Sequence, residues 1–415
     1  MPEDAKRRNS RKNKKRKAAK KRSFFQSIFS AVKYVVLSIN RYTTRTDDRG
    51  PDREFHLGRH KLTFVGFMAL LLVVLVVILL AFNGHSVKVA NESIIVTGLP
   101  DDFEGYRILH ISDLAGKNFG EGQSTLMRVI DNLSYNAVVL TGDMVGKSGD
   151  PQPLYDLIEA LGTRRPVYFI AGDSDPAPLR TEARDNSLGT MTLNQMVLSD
   201  WVLGAIERGA IYVDCPQRIT KGSSTLWLLP DTLLNLNVTQ TLDNLKEEVE
   251  QETDSMLIGI EESYVSLPFT NYRMNVMSKS AALISSVSSQ DLILMLSHEV
   301  PTDSQLLDSQ KALSSQDMKS YFLSPDLVLG GHYCGGEWKF PPFGALYINS
   351  RTLPRYGWFP DQKYVEGQRT VGSSIVYVTP GLGTNGSTLL GFRLLNPPRV
   401  SLITLTGELP SSLLN

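Results

Sequence analysis

The chain has 415 residues, 42% hydrophobic and 21% charged, which exceeds one ordinary small domain and is apolar enough for a substantial core. Its formal net charge of zero hides an asymmetry: residues 1–61 carry 19 Lys and Arg against 6 Asp and Glu, and the remainder carries 24 against 37. Two cysteines, Cys215 and Cys334, exclude a disulfide framework for a chain this long and leave room for one bridge.

In chain order, the first feature is a basic cluster at 6–22, followed by Phe24, Phe25, Ile28, Phe29, Val32, Val35 and Val36 at the spacing of one helix face. Two readings stay open: a polybasic stretch with an interfacial helix on an anionic leaflet, or a topogenic tail with no further role. A nucleic-acid partner is not expected, because an adjacent membrane already accounts for the positive charge. Residues 62–82 form an uncharged run of 21, long enough to cross a bilayer as a helix. It begins too late in the chain for a cleaved signal peptide, so the expectation is an uncleaved anchor. The basic excess then keeps residues 1–61 in the cytoplasm and puts the chain from about residue 83 outside the membrane. The expected organisation is a tail (1–61), a transmembrane helix (62–82), a linker with a first strand (83–105) and a large domain (106–415).

Within that domain five short apolar runs each stop on a residue that can bind a metal: 107–112 on Asp113, 137–142 on Asp143, 167–172 on Asp173, 292–297 on His298 and 327–331 on His332. Runs rich in Val, Ile and Leu and bounded by Gly read as buried strands, while 123–132 and 153–161 carry helical spacing. Alternation of strand and helix implies a largely parallel sheet, whose ligands bind beyond the carboxyl ends of the strands. All five residues would lie there. The first three are spaced by 30 residues each time, about one βαβ unit. An isolated Asp after a strand usually caps a helix or opens a turn, but three Asp and two His converging on one edge suit one or two divalent ions, Zn, Mn or Fe. His110 lies inside a strand, turned away from Asp113, and reads as structural. Tyr333, Trp338 and Phe340 follow the last ligand and fit either a cleft or the core.

At these residues the chain resembles the calcineurin-like metallophosphoesterases, in particular their membrane-tethered bacterial branch. The resemblance runs from about residue 106 to 405. The family's D-x-H, GD, GNH, lone His and GHxH-GG appear here as Asp113-Leu114-Ala115, Gly142-Asp143, Gly172-Asp173-Ser174, Ser297-His298 and Gly331-His332-Tyr333-Cys334-Gly335-Gly336. It implies an α/β fold of two packed β-sheets flanked by helices. It also implies one metal position held by Asp143, Asp173, His298 and His332, with Asp173 in place of Asn. The other position is depleted: Ala115 replaces a His, and Asp113, Asp143 and Cys334 remain for a thiophilic ion. Ser174 stands where the family has a proton-donating His, which a hydroxyl cannot replace near neutral pH. Asp175 and Tyr333 are the neighbouring substitutes.

The resemblance therefore implies a membrane-anchored, metal-dependent phosphoesterase, slow or specialised. Its substrate would be a phosphate ester or pyrophosphate at the outer membrane face, lipid-linked or envelope-linked. The rival is a pseudoenzyme of the same fold that binds a phosphorylated envelope component or a protein partner, a reading that Ala115 and Ser174 favour.

Overall fold

A computed structural model describes residues 55–57, 60–62, 67–72, 86–184, 193–314, 324–340, 342–348, 357–384 and 392–407. The chain divides into two compact units, Met1–Phe82 and Asn83–Asn415. In the first, β1 (Phe55–Leu57) pairs antiparallel with β2 (His60–Leu62), and residues 67–72 are helical. Leu62, where the expected membrane span begins, thus closes a short strand. Residues 63–66 and 73–82 of that span, and the amphipathic stretch 24–36, lie outside the described residues. Among the described residues no helix is long and apolar enough to cross a membrane.

The second unit contains two six-stranded sheets. Edge to edge, the first runs β3 (Lys88–Ile95), β19 (Arg399–Thr406), β4 (Arg107–Ile111), β5 (Ala137–Thr141), β6 (Val167–Ile170) and β9 (Ala210–Tyr212). Its strands β4, β5, β6 and β9 are parallel, whereas β19 runs antiparallel to β4. The second runs β10 (Gln217–Lys221), β11 (Ser224–Pro230), β12 (Leu292–Leu296), β13 (Leu327–Gly330), β18 (Ser374–Val378) and β17 (Gly367–Val371). Here β11, β12, β13 and β18 are parallel, with an antiparallel strand at each edge.

Strand alternation produces the layering, because successive side chains point to opposite faces. On β12, Leu292, Leu294 and Leu296 join Ile108, Val139, Tyr168 and Ile403 in one core between the sheets. The opposite face of the first sheet (Leu109, Val138, Leu140, Phe169) packs on α1 (Ser124–Ile130), α2 (Gln152–Leu161) and α3 (Asp200–Glu207) through Leu126, Leu157 and Val202. The opposite face of the second sheet is covered in part by α4 (Val238–Leu257) and α5 (Ser263–Ile284) through Leu245, Met277 and Ile284. Its remainder packs on α6 (Asp303–Ser314) through Leu306, and on Val365 of the short helix α7 (Gln362–Val365). The result is the expected α/β architecture: two packed sheets flanked by helices.

Two small sheets complete the unit. Hairpin β7–β8 (Leu179–Arg184, Leu193–Leu198) leaves the first sheet just after Asp173. A three-stranded sheet, β14–β16 (Trp338–Phe340, Gly344–Ile348, Gly357–Trp358), follows the last of the expected ligands.

Candidate metal centre

Five of the six expected ligands sit two or three residues beyond the carboxyl end of a parallel strand: Asp113 after β4, Asp143 after β5, Asp173 after β6, His298 after β12 and His332 after β13; Cys334 follows four residues beyond β13. The chain must turn sharply there without losing its backbone hydrogen bonds. It does so through left-handed residues: Asp113 (φ 55°), Ala115 (φ 52°), Asp143 (φ 52°), His332 (φ 73°) and Cys334 (φ 51°). Such conformations cost of order 1–3 kcal/mol each for non-glycine residues and collect where the surrounding structure fixes them for function. Turn is bonded to turn, with Asp113 N donating to Gly142 O at 3.1 Å, Ala115 N to Asp143 O at 2.7 Å and Gly331 N to His298 O at 3.0 Å. Gly172 admits this crowding because a Cβ there would run into the backbone and carboxylate of Asp143.

Four of the expected ligands converge. One donor atom from each of Asp143, Asp173, His298 and His332 lies within 4.8 Å of the others. His298 Nε2 is 3.3 Å from Asp143 Oδ2 and 3.0 Å from Asp173 Oδ1. His332 Nδ1 is 3.1 Å from Asp173 Oδ1 and 3.0 Å from His298 Nε2. The far nitrogen of His298, Nδ1, lies 2.8 Å from Thr141 O, which can only accept. Nδ1 therefore carries a proton, and Nε2 faces the cluster, where it can take an ion or a second proton.

Two imidazole nitrogens and two carboxylate oxygens aimed at one point repel one another unless a cation lies among them. Asp143 Oδ2 is buried and faces His298 Nε2 at 3.3 Å. Burial alone would push the His298 imidazole down, but its hydrogen bonds to Asp143 and Asp173 and the charges of Asp143 and Asp113 outweigh that and hold it well above its ordinary value. The pocket therefore draws positive charge, and its mixed O and N donors suit Zn, Mn or Fe. These residues fit a divalent ion. Asp143, His298 and His332 are buried whereas the Asp173 side chain is 63% exposed, so Asp173 is the open wall of the site.

Asp113 and Cys334 lie beside this cluster and not in it. Asp113 is fully buried, and its Oδ2 accepts from the backbone N–H of His332 at 3.1 Å, so it steadies a ligand-bearing turn. Burial, then the charge of Asp113, pushes the Cys334 thiol well above its usual range. Cys334 Sγ contacts the carbonyl of His332 at 3.7 Å.

The neighbours of Ser174 take different roles from those the sequence suggests. Ser174 donates its backbone N–H to Asp143 Oδ1 at 2.8 Å and so orients that carboxylate. Asp175, a candidate proton donor by position, instead receives four backbone N–H groups: Val145 and Gly146 on Oδ1, both at 2.8 Å, and Gly172 and Met144 on Oδ2, at 2.9 and 3.3 Å. A carboxylate so enclosed ties the Asp143 turn to the Asp173 turn and acts as a positioning residue. Tyr333 is fully buried, with its ring edge on His332 and its hydroxyl 3.3 Å from Glu299 Oε1, so it packs under the site. Phe340, by contrast, is half exposed.

His110 is buried between the sheets, with Nε2 2.8 Å from Thr141 Oγ1, and burial brings its pKa down to about 3. It supports the strand whose carbonyl orients His298. Sequence reasoning missed Thr141, because a backbone carbonyl leaves no side-chain signature. It also missed the Ser297 hydroxyl, 2.6 Å from Asp231 Oδ2, which fixes the turn before His298.

Comparison with known families agrees with this geometry. A family model described as calcineurin-like phosphoesterase matches residues 106–336, more than half of the chain. No curated protein is similar to the chain at a significant level. Among solved structures, a phosphopantetheinyl hydrolase from Mycobacterium tuberculosis is 13% identical, with 67% of this chain and 91% of that one covered and a TM-score of 0.31. A sulfate thiohydrolase from Thermus thermophilus, in complex with glycerol, is 9% identical, with 75% of this chain and 59% of that one covered and a TM-score of 0.27.

Proposed function

The chain belongs to the calcineurin-like phosphoesterases, which are metal-dependent hydrolases, and from that premise we propose that it hydrolyses a phosphate ester or pyrophosphate presented at the outer face of a membrane. The observation that carries the hydrolytic reading is the convergence of Asp143, Asp173, His298 and His332, two from each sheet, within 4.8 Å. A divalent ion bound there would offset charge on a phosphoryl group and lower the pKa of water.

The protein's own residues set the conditions for that chemistry. Thr141 O holds the His298 ring, Ser174 N–H and the Asp175 turn hold the Asp143 carboxylate, and Asp113 holds the backbone of His332. The exposed carboxylate of Asp173 marks the side from which substrate arrives. No imidazole occupies the position of Ser174, and general acid catalysis typically contributes about 10²–10⁴-fold. Turnover is accordingly slow, or restricted to substrates whose leaving group departs without help.

Membrane attachment rests on the sequence: the uncharged run at 62–82 and the excess of 19 basic over 6 acidic residues before it. A tethered domain meets lipid-linked and envelope-linked phosphates at high local concentration, which favours substrates of that class. The test is turnover of bis(4-nitrophenyl) phosphate by the full-length chain purified in detergent and loaded with Zn, Mn or Fe. His332→Ala should lower turnover at least about 100-fold. Wild-type turnover at the metal-only background would support the binding-module reading instead.

A further inference from the structure

The backbone packed against Asp113 and Ala115, where the family resemblance implies a second metal position, is held by a buried arginine. Arg393 follows the stretch 385–391 and is 7% exposed. Its Nε donates to Gly383 O at 2.7 Å and its Nη2 to Pro380 O and Gly381 O at 2.5 and 3.0 Å. The third nitrogen, Nη1, is buried with no hydrogen-bond partner among the described residues.

The segment that Arg393 holds is pressed against the depleted position. A Cβ on Gly381 would lie 2.7 Å from Asp113 Oδ2, and one on Gly383 would lie 2.8 Å from the Ala115 Cβ. Gly383 N–H also donates to Asp113 O. Arg393 and Asp113 thus sit on either side of the same few atoms of backbone. Asp113 is fully buried, and its Oδ1 has no partner among the described residues. A buried carboxylate normally needs a compensating charge, and so does a buried guanidinium. Burial pushes the guanidinium of Arg393 down and the charges of Asp113 and Glu337 push it back up, while for Asp113 itself the charges of His298 and His332 offset burial.

We propose that the Arg393 guanidinium supplies, beside Asp113 and Cys334, the positive charge that a second ion would otherwise bring. On the phosphoesterase reading, on which this inference rests, the centre then works with one exchangeable ion and one cation built into the chain. Arg393 touches neither substrate nor ion. It acts by compensating Asp113 and by repelling any further cation from that position.

The test counts ions by native mass spectrometry, with Zn titrated onto the full-length chain. Wild type should bind one ion, lost in His332→Ala. Restoring the missing ligands with Ala115→His and Cys334→His should leave the count at one while Arg393 remains. Adding Arg393→Gln should raise it to two, with the second ion at least about 100-fold tighter than in the double variant. Adding Arg393→Lys, which keeps the charge, should leave it at one. Two ions in wild type, in the double variant or in the Lys variant would overturn the role of Arg393 and leave the hydrolytic reading intact. No ion in wild type would overturn both. If the Gln variant fails to fold, the double variant decides: a second ion bound as tightly as the first contradicts the proposal.

Discussion

Asp175 gathers four backbone N–H groups on its two carboxylate oxygens, so removing it strands donors in two turns that each carry a metal-binding Asp. Asp175→Ala should destabilise the fold by about 2–4 kcal/mol, because each unsatisfied donor costs about 1–3 kcal/mol and solvent recovers part of it. It should also weaken metal binding without touching a ligand, which calorimetric titration of the refolded variant with Zn would register. Unchanged affinity would show that the turns hold their shape without it. Asp113 shows the same division of labour, since its contact is with the backbone of His332 and not with the four-atom cluster. Side chains one or two positions from a ligand can therefore be essential to the site while taking no part in its chemistry.

At the scale of strands, β4 turns His110 inward between the sheets, where its imidazole is neutral and its pKa is about 3. Below the ordinary value of 6.5 the unfolded chain takes up a proton that the folded chain refuses, so stability falls as pH falls from about 6.5 towards 3. His110→Asn should remove up to about 1.4 kcal/mol per pH unit from the slope in that window, measured by urea unfolding at several pH values; an identical slope would rule out this residue as its source. The parallel strands and their terminal ligands were legible because Val, Ile and Leu runs ending in Gly or Ser followed by Asp or His encode burial and a sharp turn together. Helices α1 and α2 were legible from apolar spacing. The Arg393 contact was not legible. It joins residues brought together only by the path of the chain after β18, and a single Arg in a loop has no periodicity to mark it.

At the scale of the whole molecule, residues 1–61 carry a basic excess and the remainder an acidic one, and the topology proposed above puts the two on different sides of a membrane. Deleting residues 62–82 should move the protein from the membrane fraction to the soluble fraction, and a protease added outside intact cells or spheroplasts should cut only the domain after residue 83. Protection of that domain would reverse the topology and with it the proposed substrate class. The hydrolytic claim itself depends on the cluster at the carboxyl ends of β5, β6, β12 and β13, where both sheets contribute two ligands. Its most direct test is to strip the full-length chain progressively with a chelator and to measure metal content and phosphodiester turnover on the same samples. The account requires turnover to fall in proportion to occupancy and to return when the ion is restored. Turnover that survives in the metal-free chain would contradict it.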